Sequence, residues 1–162
     1  MQTILYLEDR PEQLDSKADI LKNTGFNVIK CSRIDLAKKQ YAKHKDEIVC
    51  IITDLNMNPE WLESHESESE GGVIAGWIWL WYFVYNRGEK IVPTIIFSGF
   101  IEELIERLEN PNNVAEHTVF SDERIAFIKK GDITSSTKKT LIDMVNKVVS
   151  ANESSRDKEL DI

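Results

Sequence analysis

The chain has 162 residues, the usual size of one domain, with 41% hydrophobic and 30% charged residues. Its formal net charge of −8 disfavours non-specific binding to nucleic acid or to an anionic membrane, because both need a basic surface. The longest apolar run, residues 73–85, is shorter than the roughly 20 residues that span a bilayer, and the first residues lack the basic region of a signal peptide. The two cysteines, Cys31 and Cys50, form no disulfide framework, so we expect a cytoplasmic protein with reduced, buried thiols.

Short apolar runs alternate with helical patterns along the chain. The predicted strands cover residues 3–9, 26–32, 47–54, 92–99 and 124–132. The helical patterns cover residues 10–25, a stripe from Ile34 to Tyr41, and residues 72–87, 100–110 and 134–150.

Two segments, residues 55–71 and 111–123, show no period and are predicted to be loops. The charged tail, residues 151–162, is predicted to be frayed, which leaves residues 1–150 as one domain. Strands that alternate with helices predict an α/β fold, in which βαβ units form a parallel sheet covered by helices on both faces.

Polar residues stand where four of the predicted strands end. They are Glu8 and Asp9 after the first strand, Asp54 after the third, Ser98 after the fourth, and Lys129 and Lys130 after the fifth. Because ligands of such sheets bind beyond the carboxyl ends of the strands, we expect these side chains to share one site.

The residue types of this predicted cluster indicate phosphoryl transfer. Three carboxylates in a small site repel one another unless a cation is present, and oxygen ligands suit Mg²⁺. A metal and a lysine would neutralise the phosphoryl oxygens, and a hydroxyl would donate a hydrogen bond to them. A carboxylate can also be the nucleophile and form an aspartyl phosphate.

Four segments, taken in order, resemble a family. "LEDRPEQL" (7–14), "IITDLNMNP" (51–59), "IIFSG" (95–99) and "FIKKGD" (127–132) are similar to segments of the CheY-like receiver domains of response regulators in two-component signalling. The resemblance covers residues 3 to 150. It implies a flavodoxin-like, doubly wound (βα)5 parallel sheet with strand order 2-1-3-4-5.

The resemblance also implies the roles of the acidic residues. Asp54 matches the aspartate that accepts the phosphoryl group. Glu8 and Asp9 match the acidic pair that holds magnesium, with Asp9 as the direct ligand of the two. Asp54 and the backbone carbonyl of Asn56 would complete the Mg²⁺ site.

The resemblance also implies which residues bind the phosphoryl group and which one changes conformation on activation. Ser98 and Lys130 match the residues that stabilise the phosphoryl group, and Phe127 matches an aromatic residue that rotates on activation. The family usually has Lys-Pro with a cis peptide where this chain has Lys130–Gly131. This departure changes the expected local geometry and leaves Lys129 as a rival for the lysine role.

The chain has two further unusual features, an acidic insert at residues 59–72 and an aromatic helix at residues 72–87. The glutamates of the insert either tune metal affinity or form a solvated surface. A helix that is apolar on all sides is buried or meets a partner. Its aromatic residues are therefore either an interaction surface, including that of a homodimer, or covered by the insert and neighbouring helices. They are Trp77, Trp79, Trp81, Tyr82 and Tyr85.

The predicted function is that of a stand-alone receiver domain, which is not a conventional enzyme. A histidine kinase or phosphotransfer protein would phosphorylate Asp54, and the output would be another protein or self-association. The alternative is a phosphorylation-independent interaction module that works through the aromatic helix. A flavodoxin is disfavoured because "EDRPEQ" after the first strand would repel a flavin phosphate, and an acid-nucleophile phosphatase because Asn56 replaces its second aspartate.

Overall fold

The computed structural model describes residues 1–130 and 137–160. Five parallel strands form one sheet in the order 2-1-3-4-5, which confirms the predicted topology. The strands are β1 (Thr3–Leu7), β2 (Asn27–Cys31), β3 (Ile48–Thr53), β4 (Thr94–Ser98) and β5 (Ile125–Lys129).

Six α-helices surround this sheet in the described residues. They are α1 (Pro11–Asn23), α2 (Ile34–His44), α3 (Ala75–Trp79), α4 (Ile101–Leu108), α5 (Val114–Phe120) and α6 (Thr137–Leu160). A π-helical turn, Leu80–Val84, continues α3, and two 3₁₀ segments cover Pro59–Ser69 and Pro111–Asn113.

The sheet separates two hydrophobic cores. Along β1, Leu5 and Leu7 pack with α2, α3 and α4 on one face, whereas Ile4 and Tyr6 pack with α1 and α6 on the other. This alternation follows from the two-residue period of a strand. Because both faces are covered, a central strand such as β1 is buried throughout and appears in the sequence as a continuous apolar run.

The prediction that residues 55–71 and 111–123 are loops is wrong in part. The first segment contains the 3₁₀ segment Pro59–Ser69, with a kink at Glu63, and the second contains a 3₁₀ turn and α5. Each 3₁₀ segment begins at an Asn-Pro pair. The side chains of Asn58 and Asn110 each accept a hydrogen bond from the backbone N–H two residues later. An asparagine cap followed by proline is a favoured helix start, so short helical turns form despite the missing period.

Most of the aromatic helix is buried, which favours cover by neighbouring elements over the alternative of an interaction surface. Trp77, Trp79 and Tyr85 have no exposed area, Trp81 is 6% exposed, and Tyr82 is half-buried. The physical reason is that the insert and α5 pack over the helix, as the second interpretation of the sequence expects.

A partly buried polar network connects these covering elements to the aromatic helix. The indole N–H of Trp77 donates to Glu116 of α5 at 2.8 Å, and the same carboxylate pairs with Arg107 of α4 at 3.1 Å. Arg107 also donates to the backbone carbonyl of Glu68 in the insert at 3.2 Å. The Glu68 carboxylate accepts from the Tyr82 hydroxyl at 2.6 Å. Four separate segments of the chain thus share one network.

The carboxyl-terminal part of the chain also differs from expectation. Helix α6 continues to Leu160, so the prediction of a frayed tail from residue 151 is wrong for residues 151–160. The proposed boundary at residue 150 stays a prediction. Gly131, where the sequence departs from the family's Lys-Pro, lies outside the described residues. No helix among those described is long and apolar enough to cross a bilayer.

Both cysteines are buried free thiols, as predicted. Cys31 lies in one core and Cys50 in the other, so the sheet stands between them. Burial raises the pKa of the Cys31 thiol to about 11.

Candidate functional site

The acidic residues meet because β1 and β3 are neighbours in register. Leu7 pairs with Thr53, and the backbone N–H of Asp54 donates to the Leu7 carbonyl at 3.1 Å. The residues that follow the two strands therefore lie side by side. One carboxylate oxygen from each of Glu8, Asp9 and Asp54 lies within 4.8 Å of the others.

Lys130 brings a positive charge into this cluster. Its ammonium group donates to Asp54 Oδ2 and to Glu8 Oε1, both at 2.7 Å, and to Gln13 Oε1 at 2.9 Å. The backbone N–H of Lys130 donates to the Ser98 carbonyl at 2.9 Å, which continues the pairing of β4 and β5 beyond the end of the strand. Lys129 is directed elsewhere, because its ammonium group lies 2.6 Å from Glu102 of α4.

The sequence did not predict the contact of Gln13 with Lys130. Gln13 is the third residue of α1, and the first turn of that helix begins directly beyond β1, at the edge where the cluster forms. A polar residue in a first helical turn next to such an edge is the signal that could have identified it.

Asp54 is held by the backbone of the next residue as well as by Lys130. Its Oδ1 atom accepts from the N–H of Leu55 at 2.6 Å, and the residue is 9% exposed. Gly76 of α3 packs directly on this turn: its N–H donates to the Leu55 carbonyl at 2.9 Å, and a Cβ atom at Gly76 would overlap the Asp54 carbonyl. Gly76 therefore permits the close approach of α3, a role that the sequence analysis did not identify.

A cleft of about 260 Å³ opens above the cluster. Its lining residues are Asp9, Arg10, Asp54, Asn56, Gly99, Phe100 and Lys130. Ser98, which directly precedes Gly99, is fully buried, and its hydroxyl oxygen accepts from the N–H of Phe100 at 3.1 Å. The cleft thus gives a ligand access to Asp54 and Lys130.

Phe127 stands apart from the cleft. It is 44% exposed and stacks on Phe120 of α5, with ring centroids 5.9 Å apart. Phe120 in turn contacts the edge of Trp77. The structure therefore places Phe127 against the elements that cover the aromatic helix, not beside Asp54.

The electrostatics of the cluster favour a cation. Burial raises the pKa of Glu8 to about 7, and the neighbouring charge of Asp54 acts in the same direction, while Lys130 opposes both. Within the described residues, Glu8 Oε2 is buried and has no hydrogen-bond partner. The three carboxylates outnumber the two cations at the cleft, Lys130 and Arg10. A hard divalent cation with oxygen ligands, such as Mg²⁺, fits this donor set.

Comparisons with known proteins give similar folds. No protein-family model matches the sequence, and no curated protein matches it either. A response regulator receiver domain protein from Clostridium thermocellum superposes with a TM-score of 0.61 and 14% identity, over 94% of this chain and 98% of that chain. The non-phosphorylated HemR receiver domain from Leptospira biflexa gives 0.59 and 15%, over 93% and 95% of the two chains.

A CheY-like receiver domain protein from Methanospirillum hungatei gives a TM-score of 0.54 and 17% identity, over 96% of this chain and 98% of that chain. This chain has the CheY-like receiver fold. At these identities the similarity establishes the architecture, and the arguments about chemistry rest on the residues of the cleft.

Proposed function

We propose that this chain is a phospho-accepting receiver domain of a two-component system, with Asp54 as the residue that takes the phosphoryl group. The observation that carries the proposal is the contact of Lys130 with both Asp54 and Glu8, each at 2.7 Å, at the carboxyl edge of a receiver fold. A nucleophilic carboxylate, a lysine and a pair of further carboxylates are the parts that phosphoryl transfer to an aspartate needs.

The proposed reaction is a displacement at phosphorus. A carboxylate oxygen of Asp54 forms the new bond, and the donor leaves with the electron pair of the bond that breaks. Glu8, Asp9, Asp54 and the backbone carbonyl of Asn56 would hold Mg²⁺, which when bound neutralises negative charge on the phosphoryl oxygens. Lys130 would exchange its bond to Asp54 Oδ2 for one to a phosphoryl oxygen, so that its charge stays beside the acceptor.

The proposed switch uses Ser98 and Phe127. The Ser98 hydroxyl accepts a bond from Phe100, immediately before α4, and keeps its own proton for donation. Donation to the phosphoryl group would shift Ser98 and the start of α4. Phe127 lies on β5, which pairs with β4, so the shift would also move its exposed ring. The outer face formed by α4, β5 and α6 would change with it.

The donor would be a histidine kinase or a phosphotransfer protein, and the output would be another protein or a second copy of the chain. We infer a signalling role rather than that of a conventional enzyme, in the cytoplasm, without nucleic-acid or membrane binding. The alternative, an interaction module that needs no phosphorylation and works through residues 72–87, is less well supported because the three tryptophans and Tyr85 of that helix are buried.

The test is intact-mass measurement after incubation with acetyl phosphate and Mg²⁺. Wild type should gain one phosphoryl group, and Asp54→Asn should gain none. Asp46→Asn is a matched control, because Asp46 is exposed and lies at the opposite end of the sheet, just before β3. An unmodified wild type, or equal modification of Asp54→Asn, would contradict the proposal.

A further inference from the structure

The acidic insert ends in two glycines, and one of them contacts the loop that follows Asp54. Gly71 and Gly72 have positive φ angles of 70° and 99°. The carbonyl of Gly72 accepts a hydrogen bond from the N–H of Met57 at 3.0 Å. A Cβ atom at Gly72 would overlap the Met57 carbonyl, whereas one at Gly71 would have no atom within 4 Å. The insert therefore touches the loop at Gly72 with no space between the two backbones.

This contact fixes the peptide unit that carries a proposed metal ligand. The N–H of Met57 and the carbonyl of Asn56 belong to the same peptide group. In a planar trans peptide these two groups point in opposite directions. The bond to Gly72 therefore turns the Asn56 carbonyl away from the insert, and Asn56 lines the cleft together with Asp9 and Asp54.

Gly72 is itself anchored on both sides. Its N–H donates to the carbonyl and to the hydroxyl of Ser69, each at 3.1 Å, and Ser69 is fully buried. The Ser69 hydroxyl donates to the Glu66 carbonyl at 2.7 Å. The Gly72 carbonyl also accepts from the N–H of Ala75 at the start of α3, at 3.1 Å. A continuous series of hydrogen bonds thus connects the body of the insert to the Asn56–Met57 peptide.

The glutamates of the insert are placed differently. Glu68 bonds to Tyr82 and His65, and Glu63 pairs with Lys38 of α2. Among the described residues, the lining of the cleft includes none of the insert's carboxylates. The insert therefore meets the site through its backbone end.

We infer that Gly72 is a positioning residue that sets the Mg²⁺ affinity of the cleft by orienting the Asn56 carbonyl. The inference rests on the proposed function, because it presupposes that the cleft binds Mg²⁺. It assigns the effect of the insert on the metal to one backbone contact and not to the charges of its glutamates.

Calorimetric titration of the metal-free full chain with Mg²⁺ tests the inference. Gly72→Ala should weaken Mg²⁺ binding by tenfold or more, because its methyl group forces the Met57 backbone away and turns the peptide. Gly71→Ala is the matched control. It places a methyl group at the neighbouring residue, which also has a positive φ, but adds no contact, so its Mg²⁺ affinity should be within twofold of that of wild type. Far-UV circular dichroism and a thermal melt establish that each variant is folded.

Ser69→Ala provides a second variant should Gly72→Ala fail to fold. It removes the hydroxyl that holds the Gly72 N–H and keeps the backbone bond, so binding should weaken by threefold or more. Folded variants at Gly72 or Ser69 that bind Mg²⁺ as tightly as Gly71→Ala would overturn the inference and leave the proposed function intact. A wild type that binds no Mg²⁺ would overturn both, so the two failures are distinguishable.

Discussion

Replacing Arg107 by methionine should destabilise the fold strongly, because it leaves a buried carboxylate without its cation. Glu116 is 5% exposed and would lose two bonds from Arg107, at 3.1 and 3.2 Å, keeping the Trp77 indole. Removal of one partner from a buried pair costs about 3–5 kcal/mol. The Arg107 side chain is 15% exposed, which lets some water reach the site, so we expect about 3 kcal/mol.

Urea unfolding of Arg107→Met, Glu116→Gln and the double variant measures this energy. Glutamine at position 116 still accepts from Trp77 and carries no charge, so the double variant should be more stable than the sum of the single losses by about 1–2 kcal/mol. Lys30→Met is the control, because its pair with Asp15 is exposed to solvent and should contribute little to stability. A loss below about 0.5 kcal/mol in Arg107→Met, or strict additivity, would refute the reasoning.

Three other predictions concern the site and the thiols. The pKa of Glu8 is raised from its ordinary value of 4.5 to about 7 in the folded chain. The stabilisation that comes from the protonated Glu8 side chain is therefore fully present below about pH 4.5 and is lost as the pH rises through 7. In metal-free urea unfolding, wild type should therefore lose about 2–3 kcal/mol relative to Glu8→Gln between about pH 5 and pH 8; an unchanged difference would contradict it. Gly76→Ala should lose about 1–3 kcal/mol in urea unfolding, because the methyl group overlaps the Asp54 carbonyl; wild-type stability would refute the packing argument. Cys31 and Cys50 should react with a thiol reagent only in denaturant, since burial raises both pKa values; rapid labelling of the native chain would exclude this.

The sheet could be predicted from the sequence because its central strands, β1, β3 and β4, are buried on both faces. Each strand is a short apolar run between turn residues, and the five runs alternate with helical stripes, which is sufficient for the parallel topology. Residues 151–160 could not be predicted in this way. They are helical but polar, so they show no apolar period from which a helix could be inferred.

The composition of the site was predictable, but its internal contacts were not. The polar strand ends identified Glu8, Asp9 and Asp54, which the register of β1 and β3 brings together. Whether Lys129 or Lys130 reaches Asp54 depends on one residue of register, which reverses the side of the sheet that each side chain faces. That choice is visible in the structure alone, where the two ammonium groups have different partners.

The wrong loop predictions and the open question about the aromatic helix have one cause. The insert and residues 111–123 were interpreted as loops because they lack a period, so the sequence could not decide whether these segments cover the aromatic helix. An apolar helix whose cover is unknown is either buried or an interface. The Asn-Pro pairs at Asn58 and Asn110 start the missing elements, whose residues cover the indole and phenol rings. An excess of aromatic residues in a helix therefore indicates an external partner only if no other segment of the chain can pack over that helix. Segments that lack a hydrophobic period but begin with a helix-capping residue must be included in that search.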